Sequence, residues 1–174
     1  MKIRLLSIFL VTLAGLALSG CSVKYGMTSA SIPNAKSIAI TMFYNESNGG
    51  NGQLHIDFTD DLREYFQRNT KLEIQTETGE NDLLLEGAIV DYDIISVAPS
   101  SNGEVELATI NRYVMTVNAK YTNPYNEKDN FDRNFSHNVD VDADTDMNSV
   151  EEELLDQLFE QIVLKIFTAS FDNW

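Results

Sequence analysis

The sequence predicts a single α+β domain in which a mixed or antiparallel sheet of about four strands carries two helices packed on one face. Two observations support this fold class. Apolar residues recur at every second position in several short segments and at every third or fourth position in two others. The order along the chain is strand, helix, several strands and a final helix, which is typical of α+β domains. We assign residues 37–174 to this domain.

The domain begins with a predicted strand and a predicted helix. Residues 37–44, SIAITMFY, are rich in β-branched side chains and alternate in polarity, which favours a strand. The polar, glycine-rich residues 45–52 predict a loop that ends it. In residues 53–69 the apolar side chains follow the spacing of an amphipathic helix, with Leu54, Phe58, Leu62, Tyr65 and Phe66 on one face.

The middle of the chain predicts further strands. Residues 71–76 and 82–97 are two of them, and residues 108–123 and 131–139 continue into an antiparallel meander. Alternation predicts three apolar faces in these segments. In chain order their members are Ala88, Val90, Tyr92 and Ile94, then Tyr113, Met115, Val117, Ala119 and Tyr121, then Phe131, Arg133, Phe135, His137 and Val139.

A long helix closes the chain. Ser149 and Glu152 have the spacing of a capping box, which predicts that the helix begins at Ser149. A wide apolar stripe follows and predicts a helix that lies across a sheet, with Val150, Leu154, Leu155, Leu158, Phe159, Ile162, Val163 and Ile166 in it. Trp174, the last residue, is expected either to dock on a partner or to fold back on its own sheet.

The first twenty residues predict a signal peptide. Lys2 and Arg4 precede an apolar run that is too short to be a membrane span, and LSGCS follows it at residues 18–22. This stretch resembles the bacterial lipobox, which implies cleavage before Cys21 and acylation of its thiol. Residues 21–36 are then a lipidated tether, and Ser22 at the next position favours the outer membrane. The alternative is an ordinary signal peptide before a free or buried cysteine.

Composition excludes several classes of function. The chain has 27 acidic and 12 basic residues and a formal charge of −15, and the removal of the signal peptide makes it more negative still. A strongly acidic domain repels nucleic acid, so we expect no nucleic-acid partner. His55 and His137 stand outside any zinc-ligand spacing, and neither a nucleophile elbow nor a phosphate loop is present. The sequence therefore predicts a protein that is not an enzyme and needs no cofactor beyond the lipid on Cys21.

The segment DVDADTDMNSVE, residues 140–151, has the acid spacing of a calcium loop. Thr145 stands where such a loop requires glycine, and a predicted strand precedes it where a helix would be expected. We therefore expect that no metal binds here and that the acids end an edge strand before the last helix. The alternative metal ligands are Asp140, Asp142, Asp144, Asp146 and Glu151.

The lipobox, the order of elements and three longer stretches together resemble the LptE family of lipopolysaccharide-assembly lipoproteins. These stretches are GAIVDYDIISVAP at 87–99, INRYVMTVNAKYTNP at 110–124 and SVEEELLDQLFEQIVLKIFTASFDNW at 149–174. The resemblance implies a non-catalytic protein that plugs and helps to assemble an LptD-like outer-membrane β-barrel. It also implies assistance to lipopolysaccharide transport, at the periplasmic side of the outer membrane and in the barrel lumen.

The resemblance further implies direct contact with lipopolysaccharide, whose phosphates would pair with basic side chains. Arg112, Lys120 and Arg133 lie in the strand region and are the candidates. The acidic surroundings make this the weaker expectation, unless divalent cations bridge the two. Two other functions stay open: a freestanding periplasmic lipoprotein that binds a small ligand or calcium, and an envelope lipoprotein that associates with peptidoglycan.

Overall fold

The computed structural model describes residue 32 and residues 34–79, 81–97 and 109–171, with the backbone alone at 147–149. The proposed signal peptide, Cys21, most of the tether and Trp174 lie outside these residues. The two helices are α1 (Leu54–Asn69) and α2 (Met147–Phe171). The strands are β1 (Ser37–Ile40), β2 (Tyr44–Asn45), β3 (Glu73–Gln75), β4 (Leu83–Val97), β5 (Ile110–Thr122) and β6 (Phe131–Asp142).

The described strands form one mixed sheet with the order β3-β1-β4-β5-β6, and β2 pairs separately with β4. β1 is parallel to both β3 and β4, and β2 is parallel to β4, whereas β4, β5 and β6 form the antiparallel meander that the sequence predicts. The α+β class and the two helices are confirmed. The prediction of about four strands is wrong, because the sheet has six strands in the described part of the chain.

The first predicted strand accounts for part of this difference. It splits into β1 and β2 because the backbone N–H of Phe43 leaves the ladder and donates to the Thr59 hydroxyl of α1, at 3.1 Å. The Phe43 ring is fully buried. A hydrogen bond from a strand to a helix side chain is a tertiary contact, which the alternation of residues 37–44 does not encode.

Both helices share one hydrophobic core with the sheet. α1 buries its predicted face, including Leu54, Phe58, Leu62 and Phe66, and the core side chains of α2 include Leu154, Leu158, Phe159, Ile162 and Ile166. The Phe58 ring lies 5.7 Å from that of Phe43 and 5.5 Å from that of Phe159, so it joins the sheet to both helices. The sheet therefore carries the two helices on the same face.

The start of α2 differs from the prediction. The helix begins at Met147, so Ser149 lies inside it and is not the N-cap of a capping box. α1 begins at Leu54, one residue after its predicted start, and the Asn51 side chain accepts hydrogen bonds from the backbone N–H groups of Gln53 and Leu54, both at 2.9 Å. Within the described residues, neither helix combines the length and apolarity that a bilayer crossing requires.

A β-bulge changes which side chains of β4 face the core. The pairing of β4 with β5 shifts between Ile89 and Asp91. Before the bulge the odd-numbered Leu85 and Ile89 are buried, and after it the even-numbered Tyr92 and Ile94 pair with core residues of β5. The predicted face through Ala88 and Val90 is therefore wrong, because one inserted residue reverses the two faces of a strand.

The predicted alternation along β5 is confirmed from Tyr113 to Tyr121. The core side chains of this strand are Tyr113, Met115, Val117, Ala119 and Tyr121, all with at most 4% exposure. The residues between them therefore point to the helix-free face of the sheet, which is called the open face below.

Candidate functional site

Two of the predicted contact residues lie on the open face and are paired with carboxylates. Arg112 makes two hydrogen bonds to Asp140 on β6, from Nε at 2.7 Å and from Nη2 at 2.8 Å. Lys120 Nζ lies 2.7 Å from the carboxylate of Glu86 on β4. The hydrogen bonds from Arg112 lower the pKa of Asp140, so that this carboxylate stays ionised to a lower pH.

Uncharged and acidic side chains fill the open face between these two pairs. The Thr116 hydroxyl lies 3.1 Å from that of Ser136, and the Asn118 amide donates to Asp132 and to Asn134 at 3.1 and 3.0 Å. These side chains already satisfy part of one another's hydrogen-bonding capacity while they are in contact with water. The open face is therefore a polar, wet surface.

Basic residues collect elsewhere, in a groove between the edge strand β6 and helix α2. The groove has a volume of about 930 Å³, and Lys128, Arg133 and Lys165 line it. Asp129 is the acidic residue in its lining, within the described part of the chain. A concentration of three cations is notable on a domain whose overall charge is strongly negative.

Aromatic and apolar side chains accompany these cations. The Arg133 guanidinium carbon lies 5.2 Å from the ring centre of Phe131 and 5.0 Å from that of Phe135, which is cation–π distance. Leu164 of α2 is 40% exposed at the same groove. We call this combined surface the basic groove. Its chemistry suits an anionic group that is attached to an apolar body.

Lys165 also has a structural role in the basic groove. Its Nζ donates to the backbone carbonyl of Ser136 at 2.6 Å and so ties α2 to the edge of the sheet. An edge strand normally leaves such carbonyls without a partner strand, and a lysine is a common means of protecting them.

The three predicted lipopolysaccharide contacts do not converge on one site. Arg112 and Lys120 share the open face but lie eight positions apart on β5, which is about 26 Å along the strand. Arg133 lies on the opposite face, in the basic groove. The structure groups Arg133 instead with Lys128 and Lys165.

The acidic segment ends the edge strand and leads into the last helix, as the sequence predicts. β6 ends at Asp142, the Thr145 N–H donates to the Asp142 carbonyl at 3.0 Å in a turn that contains Asp144, and α2 begins directly after Asp146. Asp140 is held by Arg112.

Among the described residues, no three His, Cys, Asp or Glu side chains are placed to hold a metal ion. Glu151 lies instead near Tyr92 and Tyr113, whose pKa values are raised first by burial and then by the negative charge of Glu151.

The basic groove was only partly predictable from the sequence. The alternation of Phe131, Arg133 and Phe135 on one strand face carries a signal, because an arginine with an aromatic residue two positions away on each side has rings within reach. Lys165 carries no such signal, since a lysine on the exposed side of a helix is ordinary. Its position over β6 depends on how α2 crosses the sheet.

These features describe an α+β domain with a polar sheet face and a basic, aromatic groove. A family model described as LptE, lipopolysaccharide-assembly, matches residues 35–170. The chain therefore belongs to the LptE family, which confirms the resemblance seen in the sequence. Membership places it among the outer-membrane lipoproteins of lipopolysaccharide assembly.

Solved structures resemble this chain at low sequence identity. A protein from Xanthomonas campestris superposes with a TM-score of 0.51 and 8% identity, over 82% of this chain and 90% of that chain. A minor lipoprotein from Acinetobacter baumannii gives a TM-score of 0.48 and 12% identity, over 79% and 92% of the two chains. An uncharacterized lipoprotein B from Nitrosomonas europaea gives 0.47 and 16%, over 79% and 83%. No curated protein matches the sequence significantly.

Proposed function

We propose that this protein is a non-catalytic outer-membrane lipoprotein that plugs and helps to assemble an LptD-like β-barrel, and that assists lipopolysaccharide transport to the outer leaflet. The observation that carries the proposal is the family match over residues 35–170. Acyl chains on Cys21 would hold the domain at the periplasmic side of the membrane, since more than one chain is needed for a stable anchor.

The open face supports the position inside a barrel. The lumen of a large outer-membrane barrel is polar and hydrated, so a domain that fills it needs a polar surface. The ladder of Thr116, Asn118 and Ser136 and the flanking ion pair of Arg112 with Asp140 provide such a surface. Contacts of this kind lose little hydration when water remains between the partners.

The basic groove supports direct contact with lipopolysaccharide. Arg133, with Lys128 and Lys165 nearby, would meet the phosphates, and Leu164 and the two phenylalanine rings would meet acyl chains. Arg112 and Lys120 would have to exchange the carboxylates that they already hold. Of the three predicted residues, Arg133 is therefore the preferred contact.

The test of the proposed function is purification from the detergent-solubilised outer membrane of the native host. We expect a large β-barrel protein to copurify in about equal molar amount, and mass spectrometry to find acyl chains on Cys21 at the mature N-terminus. A variant with Cys21→Ala is the control for the anchor. Lipidated protein without a barrel would favour a freestanding lipoprotein, and sedimentation with cell wall would favour a peptidoglycan-associated one.

A further inference from the structure

The second half of β4 is an exposed sheet edge. Residues 91–97 pair with β5 on one side. On the other side, pairing with β1 ends at Leu85 and pairing with β2 ends at Ile89. No strand among the described residues continues along this side beyond Ile89.

Apolar side chains are unusually exposed along this edge. Val90 is 36% exposed, Ile94 51% and Ile95 48%. Ile94 and Ile95 point to opposite faces of the sheet, because successive side chains of a strand alternate. An edge that exposes apolar groups on both faces favours strand addition, since a new strand would cover both of them.

The backbone is also accessible there. The loop at Gly49 lies against the Tyr92 carbonyl and covers the edge up to that point. Beyond it, the Ile94 N–H donates to the side chain of its own neighbour Asp93, at 2.8 Å. A side chain can release this N–H to an incoming strand at little cost, because both groups are exposed to water.

The negative charge of this edge distinguishes two possible occupants, namely a strand from a second copy of this chain and a basic strand from another protein. Asp91 and Asp93 are both exposed on this edge. A second copy of the chain would bring the same carboxylates onto the same face of the joined sheet, where like charges destabilise pairing. A strand that carries Lys or Arg beside apolar residues would instead complement the two acids and cover the isoleucines.

We propose that residues 93–97 of β4 receive an extended segment of the barrel partner by strand addition, and that this segment combines β-branched or aromatic residues with Lys or Arg. The inference rests on the proposed function, because the occupant is taken from the barrel. It names the surface through which the domain and the barrel are joined, which family membership does not give.

Photo-crosslinking tests the position of this interface. The photoreactive residue p-benzoylphenylalanine replaces Ile95 in the full-length lipoprotein in its native host. The matched control places it at Glu73, an exposed position on β3, which is a different edge strand of the sheet. We expect the Ile95 probe to give a covalent adduct with the barrel, mapped by mass spectrometry to a basic, apolar segment, and the Glu73 probe to give much less.

A charge reversal supplies the second measurement. The double variant Asp91→Lys/Asp93→Lys should lower the amount of copurified barrel about fivefold or more, because it opposes a basic strand, whereas Glu73→Lys should change it less than about twofold. Far-ultraviolet circular dichroism checks that each variant is folded.

The outcomes separate the inference from the proposed function. If wild-type protein brings down no barrel, the proposed function fails and the inference with it. If the barrel copurifies but the Ile95 probe gives no adduct, or an adduct with a second copy of this chain, the strand-addition interface is overturned while the function stands. Equal losses of copurified barrel in Asp91→Lys/Asp93→Lys and in Glu73→Lys would also overturn it.

Discussion

The Tyr125 hydroxyl donates a hydrogen bond of 2.6 Å to the carboxylate of Asp82, and this contact ties the turn between β5 and β6 to the start of β4. The second oxygen of Asp82 accepts from the backbone N–H groups of Lys36 and Ser37, at 2.6 and 3.1 Å. One side chain therefore holds together three segments that are distant in sequence. All three lie at the same end of the sheet.

The Asp82 contact predicts a pH-dependent loss of stability. Hydrogen bonds, first from Tyr125 and then from the Lys36 backbone, lower the pKa of Asp82 below its ordinary value of 3.8. A lowered pKa stabilises the fold above pH 3.8, and this contribution is lost as the pH falls through the lowered value. We expect Asp82→Asn to lower the melting temperature at pH 7 by a few degrees and the difference from wild type to narrow below pH 3.8.

Thermal unfolding of both proteins between pH 2.5 and 7 measures this difference. Tyr125→Phe should produce a smaller change of the same sign, because the two backbone hydrogen bonds remain. A difference that stays constant across this range would show that the charge of Asp82 does not contribute.

Gly87 provides a prediction about packing. A Cβ added there would overlap the Asn118 carbonyl and would lie 2.5 Å from the Phe43 ring. The overlap with backbone cannot be relieved by rotating a side chain, so we expect Gly87→Ala to destabilise the protein by about 1–3 kcal/mol. Denaturant unfolding measures the change. Gly79→Ala is the control, since nothing lies within 4 Å of its added Cβ and the change should stay within about 0.5 kcal/mol.

The parts of the fold that depend on local periodicity were predictable. The core stripes of α1 and β5 follow from spacing alone, because each position faces the core or water according to the period of its element. The bulge after Ile89 and the division of the first strand were not predictable. Both depend on partners more than fifteen residues away, namely Val117 on β5 and Thr59 on α1.

The same distinction applies to the candidate site. The alternation of Phe131, Arg133 and Phe135 is local, and the cation–π geometry follows from it. The pairing of Arg112 with Asp140 spans 28 positions and depends on the register of β5 with β6. Sequence alone therefore identifies basic residues on strands without showing which of them already hold a carboxylate.

Asp61 predicts the opposite pH dependence to Asp82. It lies at the groove between the two helices, where partial loss of hydration and then the Asp156 carboxylate raise its pKa above 3.8. A raised pKa in an acid means that stability falls as the pH rises from 3.8 through the raised value, and the loss persists above it.

We therefore expect Asp61→Asn to raise the melting temperature at pH 7 by a degree or more. The gain should vanish below pH 3.8, because the Asp61 carboxyl is then protonated in the folded and in the unfolded protein. Thermal unfolding across the same pH range checks this. The control is Glu153→Gln, an exposed acid on α2, which should give a change near zero. A gain that persists at low pH would point to side-chain packing instead of charge.

The basic groove predicts which substitutions weaken binding of purified lipopolysaccharide. Arg133→Gln should lower the affinity roughly tenfold, because a charge-assisted hydrogen bond contributes about 1.5–3 kcal/mol. Arg133→Lys should have an intermediate effect, since it keeps the charge but loses the planar stacking between Phe131 and Phe135. Arg112→Gln is the matched control on the open face and should change the affinity less than about twofold, because Asp140 already holds that guanidinium.

Displacement of a fluorescent lipopolysaccharide from the detergent-solubilised lipoprotein measures all three variants. If Arg112→Gln weakens binding as much as Arg133→Gln does, lipopolysaccharide contacts the open face and the basic groove is not its site.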